Sequence, residues 1–256
     1  MSAIKKLVGF SFLIAAAATG YVSYRNHAMD RLYAEAAGIP PFFRSTAESK
    51  AALEKLAPYR GRRSTALLLE IASQEGPLGP DTQTEAIKVL SRRKDPQIAV
   101  TVGSLLQPQE GLDTRKTAAA ALQNLPCNPQ CITSIMHYLE RIWQGEPNFE
   151  DRWVLQAGGD ERAIASHKAG QQAIYNDLFS VLRREKKETF IALANVYGLR
   201  SVVPSPFALD LVSRLELHEA CPYLAESQRQ LKDLSPEFFK APRQELLKTI
   251  ASLKCE

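Results

Sequence analysis

Apolar residues recur along this chain at spacings of three and four, the period of a helix with one buried side. Ala52, Leu53 and Leu56 predict a helix over Thr46–Leu56, and Leu67, Leu68, Leu69 and Ile71 predict a second over 64–73. Gly61 separates the two. Helices are then expected over 82–92 and 114–125, each followed by another apolar-periodic run. Those later runs match position for position: Ile98, Val102 and Leu106 against Cys131, Ile135 and Leu139. A long helix over 163–184 takes its stripe from Ala169, Ala173, Ile174, Leu178, Val181 and Leu182. A shorter one over 189–197 stops at Gly198, since glycine tolerates the left-handed turn that ends a helix. Leu211, Leu215, Ala220, Pro222 and Leu224 suggest a further pair turning at 219–222, and a terminal helix is expected over 242–254. Almost no strand is expected.

Turn residues punctuate this pattern. Gly38-Ile39-Pro40-Pro41 stops any helix arriving from the N-terminus, with Phe42 and Phe43 expected to pack beyond it. The stretch 76–80 is a turn. Residues 144–163 interrupt the array through Gly145, Pro147 and Gly158-Gly159-Asp160, with Trp153 and Leu155 between.

The two best-defined helices begin with the same residues. Gly79, Asp81, Thr82, Ala86 and Leu90 recur 32 positions later as Gly111, Asp113, Thr114, Ala118 and Leu122. Self-similarity at such a period marks stacked helical repeats. Asp81 and Asp113, or the Thr after each, are the expected N-caps. Asp95-Pro96 and Asn128-Pro129 open the second helices. In each, a capping side chain precedes a Pro at the first helical position, where a missing N–H costs nothing.

The Asp, the Ala-x-x-x-Leu helix, the Asp-Pro or Asn-Pro turn and the aliphatic second helix together resemble the HEAT-repeat family in a short form, over about residues 80–143. The segment from Asp113 to Leu122 lies closest to that pattern. Residues 46–75 fit it loosely. The repeat is shorter than the usual HEAT length, which leaves tetratricopeptide-like pairing open, although its spaced aromatic and Gly signature is missing. The resemblance implies an all-α protein, an α-solenoid of HEAT-like helical pairs, used for protein binding. Folds of this kind present a surface.

The N-terminus has a different character. Leu7 to Tyr24 is an uncharged run of 18 residues bounded by Lys6 and Arg25, about 27 Å as a helix and enough for a bilayer core. With Lys5 and Lys6 in front, it reads as a signal anchor whose Tyr21 and Tyr24 sit at the interface, or as a cleaved signal peptide ending near Ala16-Ala17-Ala18. Apolar character continuing to Tyr24 favours the anchor. The organisation expected is a signal anchor or signal peptide over 1–25, a juxtamembrane connector over 26–45, HEAT-like repeats over 46–143 and a helical C-terminal part over 144–256. The chain past the anchor is expected to be extracytoplasmic, and periplasmic or secreted if the segment is cleaved.

Charge narrows the function. The chain of 256 residues carries a net +4. Lys5, Lys6 and Arg25 account for three of those charges, so the folded part lacks the basic excess of a nucleic-acid binder. His27, His137, His167 and His218 are scattered without zinc spacing, and no P-loop, Gly-x-Ser-x-Gly or dinucleotide-binding glycine pattern occurs. No catalytic residue, metal ligand or cofactor is expected, and the protein is read as non-enzymatic.

Cysteine offers the alternative. Cys127 and Cys131 are expected to close a local disulfide in an exported domain, to remain as structural thiols, or to act in redox or soft-metal chemistry at a helix N-terminus. The redox option would make the protein a membrane-tethered enzyme using Cys127 and Cys131. Cys221 and Cys255 offer a second bridge. Four cysteines allow three connectivities, and spacing does not choose among them.

One polar surface follows from the register. Gln97, Thr101 and Ser104 match Gln130, Ser134 and His137, 33 positions apart. Within each helix the spacing of four then three keeps them on one face. HEAT-like stacking would align them along the concave side. Arg141 and Trp143 extend the stripe with residue types favoured at binding hot spots. A solvated face has the same pattern. The expectation is a membrane-tethered scaffold whose partner is a protein.

Overall fold

The computed structural model describes residues 2–39, 45–73, 80–107, 110–145, 161–232, 234 and 239–255, with side chains described from residue 19 onward except that of residue 80. Within them the secondary structure is helical, with no strand. Outside them fall Phe42 and Phe43, most of the 76–80 turn, the apolar side chains of the N-terminal run up to residue 18, and the 146–160 part of the interruption with Trp153 and Leu155. The chain divides into two compact units, residues 1–90 and 91–256. The division falls between the two helices that the sequence pairs as the first full repeat.

The first unit holds α1 (Ser2–Ala37), α2 (Thr46–Leu56), α3 (Arg62–Ser73) and α4 (Pro80–Ser91), the last ending one residue past the division. The connector expected over 26–45 is helical up to Ala37, because α1 continues and packs on α2 and α3. Met29 and Ala36 of α1 join Ala52, Leu53, Leu56, Leu68 and Ile71 in the core. Buried Ser49 donates its hydroxyl to the Glu35 carbonyl at 3.4 Å, and Gln83 Nε2 donates to the Ala72 carbonyl at 2.8 Å. Gly38, at φ +65°, ends α1 where expected, and the Ile39 N–H reaches back to the Ala34 carbonyl at 3.0 Å. At the start of α2 the Glu48 carboxylate accepts from the Ser45 N–H at 2.9 Å and from its hydroxyl at 3.1 Å. From Thr19 to Tyr24 every side of α1 is exposed. Among the described residues, no helix is long and apolar enough to cross a membrane.

The second unit contains α5 (Pro96–Ser104), α6 (Leu112–Leu122), α7 (Pro129–Trp143), α8 (Glu161–Arg184), α9 (Lys186–Asn195), α10 (Pro206–Leu215), a 3-10 turn (His218–Ala220), α11 (Cys221–Lys232) and α12 (Lys240–Leu253). Several of its helices pack two apart in sequence, α5 on α7, α7 on α9, α6 on α8 and α10 on α12, while α5 also packs on α6 and α11 on α12. This alternation is compatible with an α-solenoid. The matched apolar positions are buried throughout, from Ile98, Val102 and Leu106 to Cys131, Ile135 and Leu139, and Leu90 and Leu122 are both fully enclosed.

Two expectations shift by a residue or two. Asp81 and Asp113 sit inside the first turns of α4 and α6, and the N-cap of α6 is Gly111. They still place negative charge at a helix N-terminus, where the dipole favours it. On α8, Ala169 and Ala173 are exposed and Gly170 is buried in their place. A Cβ at Gly170 would meet the Leu112 side chain at 2.9 Å, so the missing side chain lets α8 close on the start of α6. Alanines supply the thin surface on the α6 side, with Ala118 and Ala119 fully buried.

Polar groups lock this seam. Arg184, in the charge run at the end of α8, donates to the carbonyls of Leu122 at 3.4 Å, Leu125 at 2.6 Å and Gln123. It thus satisfies the free carbonyls at the end of α6. Arg243 does the same for α11, reaching the carbonyls of Leu231 and, at 2.8 Å, Leu234. Fully buried Arg115 donates to the Glu110 carbonyl at 3.0 Å and to the Tyr138 hydroxyl at 3.4 Å, and Tyr138 donates to Gln171 at 3.1 Å. Three helices meet through this chain of bonds.

Candidate interaction face

The caps that orient α5 and α7 form as the sequence predicts. Asp95 Oδ1 accepts from the Gln97 N–H at 2.9 Å, and Asn128 Oδ1 accepts from the Cys131 N–H at 2.9 Å. Pro96 and Pro129 follow them as first helical residues. With both starts fixed, the two polar stripes are set by helical geometry. The helices meet where Gly103 faces Ser134, an added Cβ lying 3.4 Å from Ser134 Cβ.

Along the stripe, Gln97, Ser104, Gln130, His137 and Trp143 are exposed, while Thr101, Ser134 and Arg141 are half-buried. Ser104 returns its hydroxyl to the Thr101 carbonyl at 2.7 Å, and Ser134 to the Gln130 carbonyl at 3.2 Å. The two hydroxyls are therefore engaged with their own helices. The glutamines, His137 and Trp143 offer the accessible chemistry.

Two open hollows flank the far half of α7. One, of about 470 Å³, is lined by Thr133, His137, Glu140, Val196, Tyr197 and Ser205 among others. The second, of about 420 Å³, runs from Trp143 to Asp210 and Ser213 of α10 and to Glu245 and Lys248 of α12. Gln97, Thr101, Ser104 and Gln130 line neither. Buried Phe207 supports the rim of both, with ring centroids 6.1 Å from Trp143 and 5.5 Å from Tyr197. Trp143 nevertheless stays 46% exposed, a large apolar ring held in place and still open to contact.

Electrostatics in the hollows are mixed. Burial, helped by the Glu140 charge, pushes the Tyr197 hydroxyl far up from its usual value, so it stays neutral and donates to the Thr133 carbonyl at 3.4 Å. Asp210 Oδ1 accepts from Arg214 Nε at 2.9 Å, and that guanidinium also lies over the Tyr175 ring. Gly198, at φ +67°, carries the chain away from α9 and past the first hollow. Sequence reasoning missed Tyr197, Val196, Asp210 and Lys248, which reach the face only through folding. The Gly198 stop placed a turn there without indicating what the turn would adjoin.

The cysteines pair as Cys127–Cys131 and Cys221–Cys255. Cys127 is 5% exposed and Cys131 fully buried, so neither sulfur of that pair lies open to a substrate. Among the described residues no group of three His, Cys, Asp or Glu side chains is placed to hold a metal ion. His27, His137 and His218 are exposed and His167 is half-buried. Comparison with protein-family models, curated proteins and solved structures finds no match to this chain.

Proposed function

We propose that this protein is a membrane-tethered interaction scaffold with HEAT-like repeats, which holds a protein partner along the α5–α7 face without catalysing a reaction. The exposed Trp143, propped on Phe207 between two open hollows, carries this reading. A large aromatic ring fixed at a surface between concavities loses little conformational freedom on contact, the economy expected of a binding anchor. His137 and Gln130 continue the polar side of the same helix. The exposure of α1 from Thr19 to Tyr24, with Tyr21 and Tyr24 at the end of the uncharged run, supports tethering through the N-terminal segment. Two disulfides support an extracytoplasmic location.

Cross-linking in membranes, followed by purification of the tagged chain, tests the assignment. The comparison is between wild type and a variant carrying Gln130→Ala, His137→Ala and Trp143→Ala. Ser134 is left intact because it closes against Gly103. The variant is expected to fold and to lose a protein that the wild type captures. Equal capture by a folded variant would remove the face from consideration.

A further inference from the structure

The loop between α2 and α3 folds back on the middle of α1. Tyr59 in this loop lies under Arg25 of α1, with the guanidinium carbon 5.6 Å from the ring centroid. Arg63, at the start of α3, grips Asp30 of α1 with both nitrogens of its fork, at 3.2 Å from Nε and 2.7 Å from Nη2. Arg25 is the first residue after the uncharged run that ends at Tyr24. Arg25 and Asp30 are about 7.5 Å apart along a helix axis. The loop is thus pinned beside the first turn and a half of α1 beyond that run.

Arg60 and Arg62 lie between the two pins and are exposed. Neither has a carboxylate partner among the described residues, and Asp30 is already taken by Arg63. Three cations, Arg25, Arg60 and Arg62, therefore gather beside the part of α1 from which Tyr21 and Tyr24 project. We propose that the 57–63 segment, the loop with the first two residues of α3, is a lipid-contacting foot: Arg60 and Arg62 rest on the headgroup phosphates of an anionic bilayer when the N-terminal segment is inserted. The inference builds on the tethering reading and adds which part of the folded unit faces the membrane. Each basic side chain near an anionic surface strengthens the contact about fivefold.

Arginine labelling of the full chain tests this. The protein is reconstituted into nanodiscs of phosphatidylcholine alone or with phosphatidylglycerol, treated with phenylglyoxal and mapped by mass spectrometry. Exposed Arg162 on α8 serves as the internal reference. Arg60 and Arg62 are expected to label about fivefold more slowly, relative to Arg162, on the anionic discs. High salt should erase the difference. Equal labelling on both discs, by a chain that co-elutes with them, would overturn the foot and leave the tether standing. A chain that fails to enter either disc would overturn both.

Discussion

At the residue scale, the polar groups of greatest consequence join helices. Arg184 and Arg243 each place a guanidinium over the end of another helix, where backbone carbonyls lack partners. Arg115 lies fully buried, and burial of a cation is tolerable only with hydrogen-bond acceptors around it. Tyr33 illustrates the same dependence with a measurable consequence. Burial, reinforced by a hydrogen bond to Glu70 and by its charge, pushes the Tyr33 hydroxyl up to about 12. The fold therefore favours the neutral phenol. That contribution to stability is complete below the ordinary value of 10.0 and is lost as pH rises through about 12. Tyr33→Phe should flatten the alkaline loss of stability, followed by denaturant unfolding at a series of pH values. An unchanged slope would count against the burial of this phenol and its Glu70 contact.

At the element scale, stability is expected to come from repeated positions. Leu90 on α4 and Leu122 on α6 occupy the same place in the repeated pattern and are both fully enclosed. Replacing either with Ala should destabilise the protein by about 2–5 kcal/mol, through lost burial and the cavity left behind. Chemical denaturation of the two variants checks this, and neutrality of both would break the equivalence of α4 and α6. Helix ends were largely legible because their signals are local. Asp95-Pro96 and Asn128-Pro129 needed only their own backbone, and Thr46–Leu56 was read with the bounds the structure shows. The α8 stripe was misread at Ala169 and Ala173, because the preference for Gly170 comes from Leu112 on another helix.

At the scale of the whole molecule, the disulfides close loops of very different size. Cys221 and Cys255 are 34 positions apart and join the start of α11 to the end of α12. Cys127 and Cys131 are only 4 apart. If constraint of the unfolded chain dominates, the long bridge should contribute about 4 kcal/mol and the short one about 2 kcal/mol. Access decides the order of opening in the native protein, since Cys221 and Cys255 are half-buried while Cys127 and Cys131 are buried. Graded reduction with alkylation and mass spectrometry should open Cys221–Cys255 first. Earlier opening of Cys127–Cys131 in the native protein would revive a redox role for that pair. The candidate site was legible only in part, also for reasons of scale. His137 and Trp143 could be placed on a face from their register, but the hollows beside them need α9, α10 and α12.

The sequence by itself determined the helical class, most helices to within about three residues, the caps at Asp95 and Asn128 and much of the buried side of the repeat helices. These depend on residues within a few turns of one another, whose spacing is fixed by backbone geometry. Tertiary structure alone decided the division at Leu90, the pairing of four cysteines, the clamps formed by Arg184 and Arg243, and the approach of the Tyr59 loop to Arg25. Each of these brings together groups from separate helices. Their meeting depends on how whole elements pack, and an apolar period specifies which side a helix buries without specifying what it is buried against.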